Sequence, residues 1–112
     1  MNLESIAQNL GLKQRSQVKA DIEVSCGYSS DLLSDVLAKA KNSTLWITNQ
    51  KHINIVGVAV MLNLAGVVIA GGVEPDANTI EKATQENIPV YTTDMSLYEL
   101  AGRLWELGIK GC

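Results

Sequence analysis

The sequence predicts a three-layer α/β domain: a small parallel sheet of about four strands, helices on both faces, and a short helix at the N-terminal side. Three observations predict it. Short strand-like runs alternate with helical periodicities along the chain, and that repetition implies right-handed crossovers and a parallel sheet. Aromatics are few, two Trp, three Tyr and no Phe, so the core rests on Val, Ile, Leu and Ala, the composition of a parallel sheet covered on both faces. A length of 112 residues with 46% hydrophobic and 19% charged side chains suits one domain with a substantial core.

The elements follow in order. Residues 3–10 place Leu3, Ile6, Ala7 and Leu10 on one helical face. The polar, basic stretch 13–19 reads as a flexible joint, so 1–19 is a helix and joint and 20–108 the core of a single domain spanning 1–112. Residues 20–25, "ADIEVS", alternate Ile22 and Val24 with polar side chains, as a first strand would, and Gly27, Tyr28 and Ser29 form a loop. Ser30 or Asp31 caps a helix running to about residue 40, with Leu33, Val36, Leu37 and Ala40 inward. Strand two is 45–48, its helix 54–64, and strand three 67–70, closed by Gly71-Gly72. Pro75 and Asp76 start a helix with Ile80 and Ala83 inward, and strand four is 89–92. Ser96-Leu97-Tyr98-Glu99 has the capping-box pattern and opens a helix that stops at Gly108.

Residues 55–73 make a 19-residue run in which only Asn63 is clearly polar, long enough to raise a transmembrane reading. Gly66, where a helix would end, and the β-branched residues after it favour a buried helix, a tight turn and a buried strand. No membrane partner is expected. Net charge is −3, and the nine basic residues are scattered, whereas nucleic-acid binding needs them clustered. "NLESIAQNLGL" imitates the first helix of a helix-turn-helix, but no basic recognition helix follows.

Cys26 and Cys112 form no CxxC or Cys/His cluster, so no metal site is expected, and reduced thiols in a cytoplasmic setting are the simple inference. The N-terminus carries Glu4 and shows no charged region leading into an apolar one, so no signal peptide is expected.

In open parallel sheets the loops at the carboxyl ends of the strands share one edge, where ligands bind. Here those loops collect the distinctive polar chemistry. The first offers Tyr28, Ser29 and Asp31; the second Thr48, Asn49, Gln50, Lys51 and His52; the third Gly71 and Gly72; the fourth Thr92, Thr93 and Asp94. Cys26, Ser30, Asn54, Glu74, Asp76 and Ser96 lie on the same rim, with helix capping the plain role for Ser30, Asn54, Asp76 and Ser96. Lys51 is the strongest anion candidate, because a helix N-terminus already favours negative charge. "IAGGVEPD" lacks both the dinucleotide glycine pattern and a P-loop ending, so tight turning is its expected role. No nucleophile elbow, second histidine or metal-ligand spacing is present, which leaves no catalytic residue and no cofactor to assign.

The helix 54–64, "NIVGVAVMLNL", is apolar nearly all round and is expected to be buried on every side. One face covers the sheet. A second copy is the natural cover for the other, giving a homodimer or higher oligomer, with a partner protein as a further candidate.

The blocks "GYSSDLLSDVLAKA", "LWITNQKHINIVGVAVMLNLAGVVIAGG" and "PVYTTDMSLYELAGRLWELG", spread over 21–108, resemble the DRTGG domain family. Members include stand-alone proteins labelled as relatives of the HPr serine kinase regulatory region. Others are domains set among CBS domains in regulatory pyrophosphatases or within phosphotransacetylases. The resemblance implies a small α/β fold, self-association, and a regulatory or structural role rather than catalysis. Where members carry an Asp-Arg pair after the second strand, this chain has Asn49-Gln50-Lys51; only Gly71-Gly72 is plainly retained. The expected function is a non-catalytic regulatory domain sensing a small anionic ligand, such as a nucleotide, at the C-terminal edge of the sheet. A purely structural adaptor is the alternative, and a phosphoacceptor acting through His52 a third.

Overall fold

Side-chain alternation along two central strands divides the interior into two cores. The computed structural model describes residues 1–112. It contains α1 (Leu3–Leu10), β1 (Lys13–Gln14), β2 (Cys26–Ser29), α2 (Leu33–Lys39), β3 (Thr44–Thr48), α3 (Asn54–Leu62), β4 (Gly66–Ile69), α4 (Ala77–Gln85), β5 (Val90–Thr92) and α5 (Leu97–Glu106). Every residue of β3 and β4 is buried, so both faces of the sheet are covered. Successive strand residues point to opposite faces. Leu45, Ile47 and Val68 therefore join Leu3, Ile6, Leu100 and Leu104 of α1 and α5. Trp46, Val67 and Ile69 join Val36, Ile55, Ala59 and Ala83 of α2, α3 and α4 on the other side.

The sheet has five strands in the order β1-β5-β4-β3-β2. β2, β3, β4 and β5 run parallel, as predicted, and their order steps in one direction. Right-handed crossovers that all step the same way put their helices on one face. That accounts for α2, α3 and α4 sharing a layer, while α1 and α5 form the opposite one. No helix is long and apolar enough to cross a membrane.

Four local expectations are overturned. Residues 20–25 are not the first strand. Val24 and Ile22 are drawn inward, but their backbone pairs with the chain's beginning: Leu3 N–H donates to Ile22 O at 2.8 Å and Val24 N–H to Met1 O at 2.9 Å. The strand lies further on, where Gly27, Tyr28 and Ser29, expected as loop, pair with Leu45, Trp46 and Ile47. The C-terminal segment packs beside this strand, with Ile109 Cγ2 at an ordinary contact distance of 3.4 Å from where a Gly27 Cβ would lie.

The 13–19 joint is not free either. β1 pairs antiparallel with β5, Lys13 opposite Thr92, closing the open edge of the sheet. Beyond it Ser16 is buried, its hydroxyl donating to Ile88 O at 2.7 Å and accepting from Val90 N–H at 2.8 Å. A polar segment with no hydrophobic period is held here by backbone partners, which periodicity does not register. The third correction concerns the end of α3, which falls on Asn63 in the left-handed conformation (φ 53°), before Gly66 opens β4.

The fourth is covalent. Cys26 and Cys112, expected as reduced thiols, are joined by a disulfide with a Cα–Cα distance of 5.2 Å. It fastens the C-terminal segment along the outer edge of β2, where Gly27 N–H also donates to Lys110 O at 2.8 Å.

Candidate functional site

The rim residues expected to act together separate into two groups. The first surrounds Asp31. Its Oδ1 accepts from Thr48 Oγ1–H and from Asn49 N–H, both at 2.7 Å, while Gln50 Nε2 donates to the Asp31 carbonyl at 2.8 Å. Asn49 Nδ2 donates to Ala70 O at 2.9 Å, tying this loop to the next. Tyr28 donates to Asp35 at 2.8 Å, and that hydrogen bond raises the phenol's pKa and lowers the carboxyl's. Ser29 is exposed beside it.

Lys51 and His52 turn towards α4. His52 Nδ1 lies 2.7 Å from Asp76 Oδ2, and Lys51 Nζ lies 3.9 Å from Oδ1 of the same carboxylate. Asp76 occupies the N-cap position of α4 but makes no side-chain cap bond, because its carboxylate is directed to these neighbours. Asn54 likewise provides no side-chain cap for α3, whereas Ser96 accepts from Glu99 N–H as the capping pattern predicted. Ser30 Oγ accepts from Leu32 N–H at 3.2 Å, a turn contact ahead of α2, which starts without a side-chain cap. None of Asn49, Gln50, Lys51 and His52 lines the cleft described below or the hollows beside β2, beneath α3 and beside α1. Their side chains bond instead to Ala70, Asp31 and Asp76.

The second group opens a crevice. After β4 the chain turns towards the α2–α3–α4 layer; after β5 it turns towards α5 on the opposite face. Neighbouring loops that leave in opposite directions part from one another, and this is the geometry that creates ligand clefts at sheet edges. The resulting open cleft is about 600 Å³, within the range of small-molecule sites.

Gly72, Thr92, Thr93 and Asp94, all predicted site residues, line it. Gly71 sits behind, bonded through its N–H to Met95 O at 2.7 Å. Both glycines have positive φ, 76° and 70°, a region that L side chains rarely adopt and that this tight turn requires. Gly72 N–H donates to Thr93 O at 3.0 Å, lacing the two loops together at the floor.

Three cations reach the same cleft: Lys13 from β1, Arg15 just beyond it, and Arg103 from α5. Arg15 forks onto Glu74 with two hydrogen bonds of 2.6 and 2.5 Å, which is the main reason that Glu74 has a lowered pKa and Arg15 a raised one. Lys13 adds to the lowering at Glu74 through space. Arg103 pairs more loosely with Glu99, at 3.3 Å. The sequence reading missed these cations because it counted only loops following parallel strands. The signal was the basic pair Lys13 and Arg15, two residues apart and so on one face of an extended segment. No group of three or more His, Cys, Asp or Glu side chains converges to hold a metal ion.

The fold is shared with a pyrophosphatase regulatory region. In the crystal structure of the CBS and DRTGG domains of the regulatory region of Clostridium perfringens pyrophosphatase, complexed with activator, diadenosine tetraphosphate, the match has a TM-score of 0.67. It covers 90% of this chain at 17% sequence identity. The chain spans 44% of that structure's length. No protein-family model matches the sequence, and no curated protein matches it.

Proposed function

We propose that this is a non-catalytic, DRTGG-like regulatory domain that senses a small anionic ligand, of which a nucleotide is the favoured class, at the C-terminal edge of its sheet. The observation that carries the reading is the crevice between the β4–α4 and β5–α5 loops, on which three cations, three carboxylates and two threonine hydroxyls converge. The structural neighbour supports it, being part of a regulatory region crystallised with a nucleotide activator. The absence of any catalytic constellation in the sequence points the same way.

Self-association belongs to the same proposal. α3 buries Ile55, Val56, Val58 and Ala59, yet Val60 and Met61 stay exposed at 45% and 75%, with Ile53 on the same side. A second copy is the proposed cover for this face. A structural adaptor with no ligand is the second reading, favoured by that apolar face and by the closed hydrogen-bond network around Asp31.

A thermal-shift screen of the purified chain against AMP, ATP, diadenosine tetraphosphate and inorganic phosphate separates the two. A ligand at about 100 times its dissociation constant adds about 2.7 kcal/mol, a rise of several degrees. No shift with any compound would favour the adaptor.

A further inference from the structure

We infer that the phosphate end of the ligand is held by Lys13 and Arg103 with Arg15 between the loops, and not by Lys51. This rests on the reading of the domain as a sensor of anionic ligands and names the part of the rim that does the sensing.

Free donors and room distinguish the two places on the rim. Lys51 shares Asp76 with His52 and is not among the residues that line the crevice. The crevice cations come from separate elements, so they surround a volume instead of lying along a surface. Arg15 is 19% exposed and fixed by Glu74, which takes two of the guanidinium's five N–H donors and leaves three unused on a side chain that lines the cleft. Lys13, across β5 from that fork, has no carboxylate partner of its own. Arg103 is tied only to Glu99, one turn away on the same exposed helix face, a pair weak enough for a phosphate oxygen to replace. Guanidinium groups match phosphate bidentately, and the crevice brings two of them, Arg15 and Arg103, beside Lys13, where the Lys51 loop has none.

The rest of the crevice suits the remainder of a nucleotide. Asp94 carries no ion-pair partner and stands at the Gly72 turn, its Oδ1 3.4 Å from the position a Cβ would take there. A carboxylate so placed accepts from ribose hydroxyls, with the Thr93 hydroxyl beside it. Because Lys13 belongs to β1, occupation of the site also ties the segment after α1 to the β5–α5 loop. Ligand binding thereby stiffens the antiparallel edge of the sheet.

The test is calorimetric titration of the full chain with adenosine, AMP, ATP and inorganic triphosphate, on the wild type, on Lys13→Ala/Arg103→Ala and on Lys51→Ala. Both residues of the double variant are exposed, so its folding is expected to be intact, and an unchanged thermal midpoint checks this. Affinity should rise with phosphate number, and ATP binding should weaken about tenfold or more in the double variant while Lys51→Ala stays within about twofold of wild type. ATP affinity preserved in the double variant, or lost in Lys51→Ala, overturns this site and leaves the sensor reading standing. Failure of the wild type to bind any of the four removes both. Triphosphate binding as tightly as ATP supports the cation site and overturns the nucleoside part.

Discussion

Breaking the Cys26–Cys112 bond should be the largest single perturbation of stability available without touching the core. The bond closes a loop across 86 residues of sequence. In the chain-entropy description, opening a loop of that length returns about 15 cal/mol/K to the unfolded chain, or about 4.6 kcal/mol at 25 °C. An unfolding entropy of about 2.1 cal/mol/K per residue over this chain converts that to a fall of about 20 °C in Tm, and the lower end of typical disulfide effects, about 2 kcal/mol, gives about 8 °C. Cys112→Ser is the appropriate change, since Cys112 is exposed and little packing is lost with it. Thermal melts of the variant and of the wild type with and without dithiothreitol provide the assay. Reduced wild type and variant should melt together, well below the oxidised protein. Coincident melts of oxidised and reduced wild type, or two titratable thiols in untreated denatured protein, would refute the reasoning.

Other consequences are more local. Ser16→Ala removes the acceptor of the buried Val90 N–H, so a loss of about 1–3 kcal/mol is expected, read as a lower urea midpoint at unchanged slope. Glu74 has a lowered pKa through Arg15, so its contribution is present above the ordinary glutamate range, near about pH 4.3, and is lost as pH falls through the depressed value. Glu74→Gln should flatten that acid limb in urea titrations, and an identical limb would exclude the fork as its source. Met61→Glu places a charge on the exposed face of α3; if copies associate there, sedimentation of the variant should show a smaller species than wild type, and identical profiles would move the interface elsewhere.

What the sequence disclosed is what local chemistry decides. The Ser96 cap on Glu99 N–H depends on residues three apart, and the continuous burial of β3 and β4 is written in unbroken apolar runs. The misplaced first strand shows the limit. Ile22 and Val24 alternate as a strand does, but they serve the α1 layer through pairing with residues 1 and 3, whereas β2 begins at Cys26 because its partners are Thr44 to Ile47 of β3. The disulfide and the β1–β5 edge are likewise contacts between distant segments that no local pattern records. The candidate site was half visible for the same reason. Gly72, Thr92, Thr93 and Asp94 follow from the carboxyl-edge rule, while Lys13, Arg15 and Arg103 reach the crevice from an antiparallel edge and a helix that the rule does not count.

Amide chemical shifts during titration with ATP test the central claim most directly, because they report both whether an anionic ligand binds and which loops it meets. Saturable shifts are expected at Lys13, Gly72, Thr93 and Asp94, with Gln50, Lys51 and His52 nearly still. No saturable shift up to about millimolar ATP, AMP or diadenosine tetraphosphate, or shifts confined to residues 49–54, would contradict a sensor built on this crevice.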